Sequence, residues 1–306
     1  MKLAWLALLL VIPLALGVGP AGVDPAVIVA LRLPRVAGAV VGGAGLALAG
    51  VLMQTLLRNA LAEPFVLGMS SGAALGAVLA VLVAPMVPPA LPAAVGALAA
   101  ASLVGGLAQG TGATRLLLSG VAVASVLGAA TALLLQLAPD ASVVRAALFW
   151  TAGSLASVSL PGAGVAGCLV VAGTAWAIRV APSLDRLLLG EDTAAALGVD
   201  VGRVRVALIV LGSALTGALV AMAGPIGFVG LAAPHLARMR VGALHRPLVG
   251  IVLPLGALLL LGADTLGRTL ATPRELPVGL VTAAVGGPFF LWLLRGRAYQ
   301  FGEAGC

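Results

Sequence analysis

AGPIGFVGLAAPHLARMRVGALHRP, residues 223–247, decides how this chain must be built. Gly224, Gly227 and Gly230, with Pro225 and Pro234, interrupt an apolar run, and a cluster of Arg and His follows. Gly and Pro within a membrane free backbone N–H and C=O groups that lipid cannot satisfy. Such a stretch is tolerated only where protein packs around it or a wet cavity lies beside it. It therefore belongs to a protein that moves something across a bilayer, not to a passive anchor.

The composition agrees. Of 306 residues, 61% are hydrophobic and only 9% charged, and the mean hydropathy is +1.19. A soluble domain carries roughly 25% charged residues, so the chain reads as an all-α, polytopic membrane protein. Apolar segments fall near 3–22, 36–57, 65–84, 89–109, 116–137, 161–181, 204–222, 226–240, 248–268 and 277–294, which makes about ten spans. The first reads as a retained transmembrane helix, since no A-x-A cleavage site follows it. Residues 142–154 form a short amphipathic stretch ending in Phe149-Trp150, placed at the interface. No connection is long enough for a soluble domain, so residues 1–306 read as one transmembrane domain with its longest polar loop at 183–203. Abundant glycine, spaced as in Gly38/Gly42 and Gly68/Gly72/Gly76, suits close helix packing, although no single pair marks an interface.

Basic residues set the orientation. With the N-terminus inside, Lys2, Arg58, Arg115, Arg179, Arg186, Arg203, Arg205, Arg238, Arg240, Arg246, Arg295 and Arg297 face the cytoplasm. Arg32, Arg35, Arg145, Arg268 and Arg274 face outward, so twelve of the 17 basic residues lie inside. Both termini are then cytoplasmic. The positive charge is a topology signal and implies no nucleic-acid partner.

Several chemistries are excluded. A nucleotide-binding P-loop needs GxxxxGK[ST], and the only lysine is Lys2, so any use of ATP needs a partner. His235 and His245 form no HExxH, and Cys168 and Cys306 give neither a disulfide framework nor a metal site. Asp264 and Arg268 are spaced as an i,i+4 ion pair. A carrier driven by an ion gradient usually holds carboxylates near the midplane, and none is evident. That class, an ion-coupled secondary transporter of a small solute, is the alternative reading.

Three further constellations stand out. In SLDRLLLGEDTAAALGVDVGR (183–203), Gly190 precedes Glu191-Asp192-Thr193, the start of a short helix over 193–197 that Gly198 ends. Leu187, Leu189, Ala194 and Leu197 lie outside the bilayer and need a surface to bury against, as a helix docking on a partner protein would provide. Arg32-Leu33-Pro34-Arg35 runs against the positive-inside bias. With Pro34 holding it extended, its two guanidiniums suit carboxylates of a docking partner, and Arg268 could join them. Residues 57–64, LRNALAEP, form a polar inner turn in which Glu63 either pairs with Arg58 or caps the turn. Leu67-Gly68-Met69-Ser70-Ser71 follow as a small-residue helix start.

These stretches, together with ALFWTAGSL (147–155) and ELPVGLVTAAVGGPFFLWLL (275–294), resemble the FecCD-type permeases of ATP-binding-cassette importers. That family includes importers of iron–siderophore complexes, haem and vitamin B12. The resemblance spans about Arg32 to Arg297. It implies the ten-helix fold of vitamin B12 importer permeases (type II ABC importers) in a bacterial or archaeal cytoplasmic or inner membrane. It also implies a permease dimer, two cytoplasmic ATPase subunits that bind ATP and Mg, and an extracytoplasmic substrate-binding protein. No cofactor is expected in this chain. Leu189, Gly190, Glu191, Asp192, Thr193, Ala194, Leu197 and Gly198 match the family's ATPase-coupling helix, and Arg32, Arg35 and Arg268 its binding-protein contacts. The resemblance puts the pathway at the dimer axis, along the fifth and tenth spans with Ser119, Ser125, Thr131, Gln136 and Thr282, and the cytoplasmic gate near Leu67–Ser71 with Thr114 and Arg115. Asn59-Ala60 departs from the family's usual Asn-Pro, which would leave the inner turn looser. Cargo among haem, ferric siderophore and cobalamin stays open.

Overall fold

The computed structural model describes residues 1–19, 22, 24–84, 86–108, 113–272 and 275–295, without the side chains of 113 and 292–295. Cys306, Arg274 and Arg297, named above, lie outside the described residues. The regular elements among the described residues are all helical. They are α1 (Lys2–Gly17), α2 (Pro25–Val27), α3 (Leu33–Leu57), α4 (Met69–Val83), α5 (Ala90–Leu107), α6 (Ala113–Gln136) and α7 (Ala141–Thr151). Then come α8 (Leu160–Leu187), α9 (Glu191–Ala196), α10 (Val201–Ala223), α11 (Val229–Val241), α12 (His245–Thr269) and α13 (Val278–Arg295). Each of the ten apolar segments coincides with one of these helices, and α7 covers the amphipathic stretch. Among the described residues, six stretches are long and apolar enough to cross a membrane: Pro25–Leu57, Ala90–Leu107, Thr114–Gln136, Leu160–Leu187, Val201–Ala223 and His245–Thr269.

Two boundaries differ from expectation for local reasons. Pro34 does not hold an extended segment. A π-helical turn at Ile28–Arg32 runs directly into α3, and Pro34 sits in the first turn of α3. A proline ring clashes with the carbonyl four residues back, and one wide turn relieves that clash without ending the helix. The sixth apolar segment also continues past residue 181 through Pro182 to Leu187, because Ala181, Leu184 and Leu187 are buried.

α3 is the central strut. Its residues from Gly45 to Leu57 are almost all buried, and it packs against α8, α10, α11 and α12. Glycine sets how closely these helices approach. A Cβ on Gly43 would overlap the Gly256 backbone of α12, and one on Gly50 would overlap the Gly230 carbonyl of α11. The Gly72/Gly76 spacing plays the same part between α4 and α5, against the backbone at Pro92 and Gly96. Backbones meeting this closely gain van der Waals contact that side chains would prevent.

A methyl group added at the α3–α12 crossing has no space to occupy, whereas Gly128 on α6 has nothing within 4 Å of its would-be Cβ. Gly43→Ala is expected to cost about 1–3 kcal/mol, as overpacking does. Gly128→Ala is expected to be neutral or to gain up to about 1 kcal/mol. Thermal unfolding of the two variants in detergent, followed by tryptophan fluorescence, checks the contrast.

Candidate functional site

The broken stretch forms a node where four separate segments meet through their backbones. α10 ends at Ala223, and the chain runs irregularly to Phe228, which holds a left-handed φ of 67°. That conformation is costly for a bulky residue and persists only when its surroundings enforce it. Here the Phe228 N–H donates to Glu63 Oε1 at 2.5 Å, and Gly286 of α13 lies against the Phe228 ring. The Ser154 N–H donates to the Ala223 carbonyl at 2.8 Å, and the Gly279 N–H to the Gly153 carbonyl at 3.3 Å. The node thus joins the turn after α3, the segment after α7, the start of α11 and the start of α13.

Glu63 therefore neither pairs with Arg58 nor caps its own turn. After Arg58 (φ 47°) the chain doubles back, and Pro64 lies against Gly230, whose carbonyl faces Gly50. Gly50 lies seven residues before the end of α3, about 10 Å along the axis at 1.5 Å per residue. The "inner turn" is thus re-entrant, and its carboxylate lies within the helix packing. Asn59 closes the turn despite Ala60: its Oδ1 accepts the Leu61 N–H at 2.9 Å. The sequence signal for a buried role was a lone Glu between apolar segments and next to a proline.

The loop at 183–203 carries α9, which begins at Glu191, two residues earlier than expected. Gly190 and Gly198 flank it with φ of 112° and 82°, conformations that side-chain-bearing residues rarely adopt. The Val199 N–H reaches the Ala194 carbonyl at 3.0 Å, closing the C-terminus as a Schellman motif does. Leu187 and Ala194 turn inward and are buried, whereas Leu189 (64%) and Leu197 (51%) are exposed. Asp192 and Thr193 are also exposed, and Glu191 is half-buried. Two of the four apolar residues thus fasten the loop to the protein, and two remain facing outward.

Arg32, Arg35 and Arg268 are buried rather than free on the surface. The Arg32 guanidinium donates to the carbonyls of Leu16 and Gly17 at 2.8 and 3.0 Å and to that of Gly22 at 2.5 Å. Arg35 Nε bonds Asp264 Oδ1 at 2.8 Å, and its Nη1 bonds Glu275 at 2.6 Å. Arg268 Nε faces Asp264 Oδ2 at 3.1 Å, the expected i,i+4 pair, while its Nη2 donates to the Ala15 carbonyl at 3.1 Å. Asp264 is fully buried. Apart from Arg268 Nε, which meets Asp264 only as an ion pair, these donors are spent on internal acceptors, because a buried guanidinium must be paired, and they tie α1, α3 and α12 together.

Of the gate residues, Leu67 and Met69 are buried and Ser70 and Ser71 half-buried. Gly68, with φ 73°, packs against α6 at Gly120–Ala124. Thr114 and Arg115 are exposed at the start of α6, one to two turns from that contact, so the two halves of the expected gate are not brought together. α6 leaves Leu118, Val121, Val126 and Leu133 exposed, and α13 leaves Leu280, Val285 and Leu291. Ser119 is half-buried, and Ser125 and Thr131 return their hydroxyls to backbone carbonyls four residues back. Thr282 is buried and bonds the Gly279 carbonyl. Beside α13, Phe228, Leu259, Val281, Val285 and Phe289 line an apolar cleft of about 320 Å³.

The model of the FecCD transport family matches residues 9–296. The chain belongs to the FecCD transport family. It is 43% identical over 284 residues to the hemin transport system permease protein HmuU of Yersinia pestis, covering 89% of this chain and 84% of that one. It is 41% identical to the cobalamin import system permease protein BtuC of Halobacterium salinarum, covering 96% of this chain and 80% of that one. A solved structure described as a metal-chelate-type ABC transporter in an inward-facing conformation superposes with a TM-score of 0.87. It is 30% identical and covers 95% of this chain and 97% of that one. This FecCD member is accordingly a membrane permease subunit of an ATP-binding-cassette importer.

Removing one partner of a buried pair strands the other. Asp264→Ala, which leaves Arg35 and Arg268 without their shared carboxylate, is expected to destabilise by about 3–5 kcal/mol. Glu275→Gln, at a carboxylate 42% exposed, should cost less than about 1 kcal/mol. Denaturant melts in detergent distinguish the two.

Proposed function

We propose that this permease carries a bulky metal chelate, such as haem, a ferric siderophore or cobalamin, by alternating access driven by partner ATPases. One observation carries the reading. α9 is a short helix with left-handed glycines at both ends, and it presents Leu189 and Leu197 outward from a loop otherwise fastened by Leu187 and Ala194. Exposed leucines on a rigid, charged loop need a protein surface, and two ATPase subunits that bind ATP and Mg supply it. Glu191, Asp192 and Thr193 form the polar rim of that contact.

The remaining parts follow the same reading. All ten apolar helices cross a cytoplasmic or inner membrane with both termini inside. Two copies of the chain meet so that the exposed apolar faces of α6 and α13 surround the pathway. Leu67–Ser71, packed on α6, act with Thr114 and Arg115 below them as the cytoplasmic constriction. An extracytoplasmic binding protein delivers the cargo onto the outer rim, which Arg32, Arg35 and Arg268 hold in shape from beneath. An apolar lining with hydroxyls turned back to the backbone suits a chelate that brings its own metal ligands, and does not suit a bare ion.

The ion-coupled alternative gains two carboxylates, Glu63 and Asp264, whose place within the helix packing the sequence did not reveal. Both are occupied, one by the Phe228 N–H and the other by two arginines. Neither is free to cycle a proton or sodium ion without dismantling the packing around it.

Leu189→Asp with Leu197→Asp is expected to abolish co-purification with the ATPase subunits while leaving the permease folded and monodisperse. Glu191→Arg or Gly198→Val is expected to lower chelate uptake at least tenfold in proteoliposomes containing the full complex. Unchanged uptake in all of these variants would mean that α9 is not the ATPase contact.

A further inference from the structure

Three side chains from three helices form a buried hydrogen-bonded chain at the inner end of the molecule, beside the 183–203 loop. Asp185, on the last turn of α8, accepts at one oxygen both the His245 backbone N–H (2.8 Å) and its ring Nδ1 (2.6 Å). His245 Nε2 lies 2.7 Å from the Thr55 hydroxyl of α3. The single Thr55 proton serves either that nitrogen or the Val51 carbonyl at 2.8 Å. His245 and Thr55 are each 1% exposed, while the Asp185 side chain is 26% exposed. Asp185 thus acts as an N-terminal cap for α12 supplied by another helix, where a carboxylate suits the unpaired N–H groups and the helix dipole.

The position of this chain gives it a use beyond holding helices together. Six residues after Asp185 the coupling segment α9 begins, and a Cβ on Gly190 would come within 3.8 Å of Arg58, the C-terminal cap of α3. In the other direction α12 spans about 37 Å, at 1.5 Å per residue. It is locked to α3 at the Gly43–Gly256 crossing and again at its outer end by the Arg35–Asp264 pair. α3 and α12 are therefore clamped at the middle and at both ends, and they must move as one body. The Arg238 guanidinium donates to the side-chain Oε1 of Gln54 on α3 at the same level, so α11 moves with them.

We propose that Asp185, His245 and Thr55 are positioning residues for transport: the joint through which displacement of α9 reaches the rigid α3–α12 pair. The proposal rests on the importer reading and deepens it. Cutting the joint should leave ATP hydrolysis in place and disconnect it from movement of cargo.

The test uses the complete complex, with its ATPase subunits and binding protein, in proteoliposomes. Uptake of hemin, ferric citrate or cobalamin, whichever the wild-type complex accumulates, is measured together with ATP hydrolysis. Asp185→Ala and Thr55→Val are expected to lower uptake per ATP about tenfold with hydrolysis within twofold of wild type. Asp185→Asn, which keeps an acceptor, and Thr55→Ser, which keeps the hydroxyl, should recover most of that loss. Asp185 is partly exposed on a helix end, so its variants test the joint even if Thr55→Val does not fold. Wild-type uptake per ATP in Asp185→Ala would overturn the proposal. So would a proportional fall in uptake and hydrolysis that the conservative variants do not rescue, because that is the result of a structural role alone. A wild-type complex that accumulates none of the three by ATP would instead refute the importer reading, and the joint with it.

Discussion

The structure depends on one constraint: irregular backbone inside a helical membrane protein must be satisfied by other backbone or by a buried side chain. Residues 223–228 expose groups that neither lipid nor a regular helix can satisfy. Every neighbour of this stretch is arranged to meet that need. Glu63 reaches the Phe228 N–H, Ser154 takes the Ala223 carbonyl, and Gly279 reaches Gly153 nearby. The glycines at 50, 153, 230 and 279 allow the chains to come that close, because a Cβ at each would meet backbone or the Pro64 ring. Loss of one partner would strand polar groups at membrane depth, where each costs about 1–3 kcal/mol or more. The node is therefore rigid as a unit, and motion has to occur around it.

This constraint sharpens what the broken stretch does. The Ala223 carbonyl and the N–H groups of Gly224 and Phe228 are engaged internally. The stretch bonds the turn after α3 to the starts of α11 and α13, and α13 contributes an exposed apolar face. Together with the α3–α12 clamp, it divides the subunit into a stiff centre and more exposed helices, of which α6 is the least buried of the six long spans. A centre of this kind transmits force without absorbing it, which the proposed drive through α9 would require.

Much of this was legible in the sequence, and the misses share a cause. Helix positions followed from apolar run length, and the existence of α9 between Gly190 and Gly198, though not its start at Glu191, followed from those glycines, because such signals are local. The Asp264–Arg268 pair was legible for the same reason. Arg32 and Arg35 were misplaced because their burial depends on carbonyls of α1 and on Glu275, hundreds of residues away in the latter case, which spacing cannot show. Glu63 was read as a partner of Arg58 or a cap of its own turn because re-entry of that turn depends on Gly230 and Gly50 accepting Pro64 between them. Asp185, His245 and Thr55 left no mark, because they are ordinary residues on three separate helices and gain meaning only where those helices meet.

The two buried polar clusters of α12 differ in a way that bears on direction of control. At the C-terminal end of α12, Asp264 is enclosed between Arg35, which also bonds Glu275, and Arg268, which also holds the Ala15 carbonyl of α1, so separating them would leave charges buried without partners. At the inner end, the contacts run in series through a single imidazole, and Asp185 keeps a quarter of its side chain in contact with solvent. A series linkage with one partly hydrated end can break and reform at far lower cost than a closed charge cluster. Rearrangement is therefore cheapest beside the loop that bears α9 and most costly at the outer rim. On the proposed importer reading, in which energy arrives through α9, this asymmetry puts the breakable contact next to the driven loop and the closed charge cluster at the far end of α12.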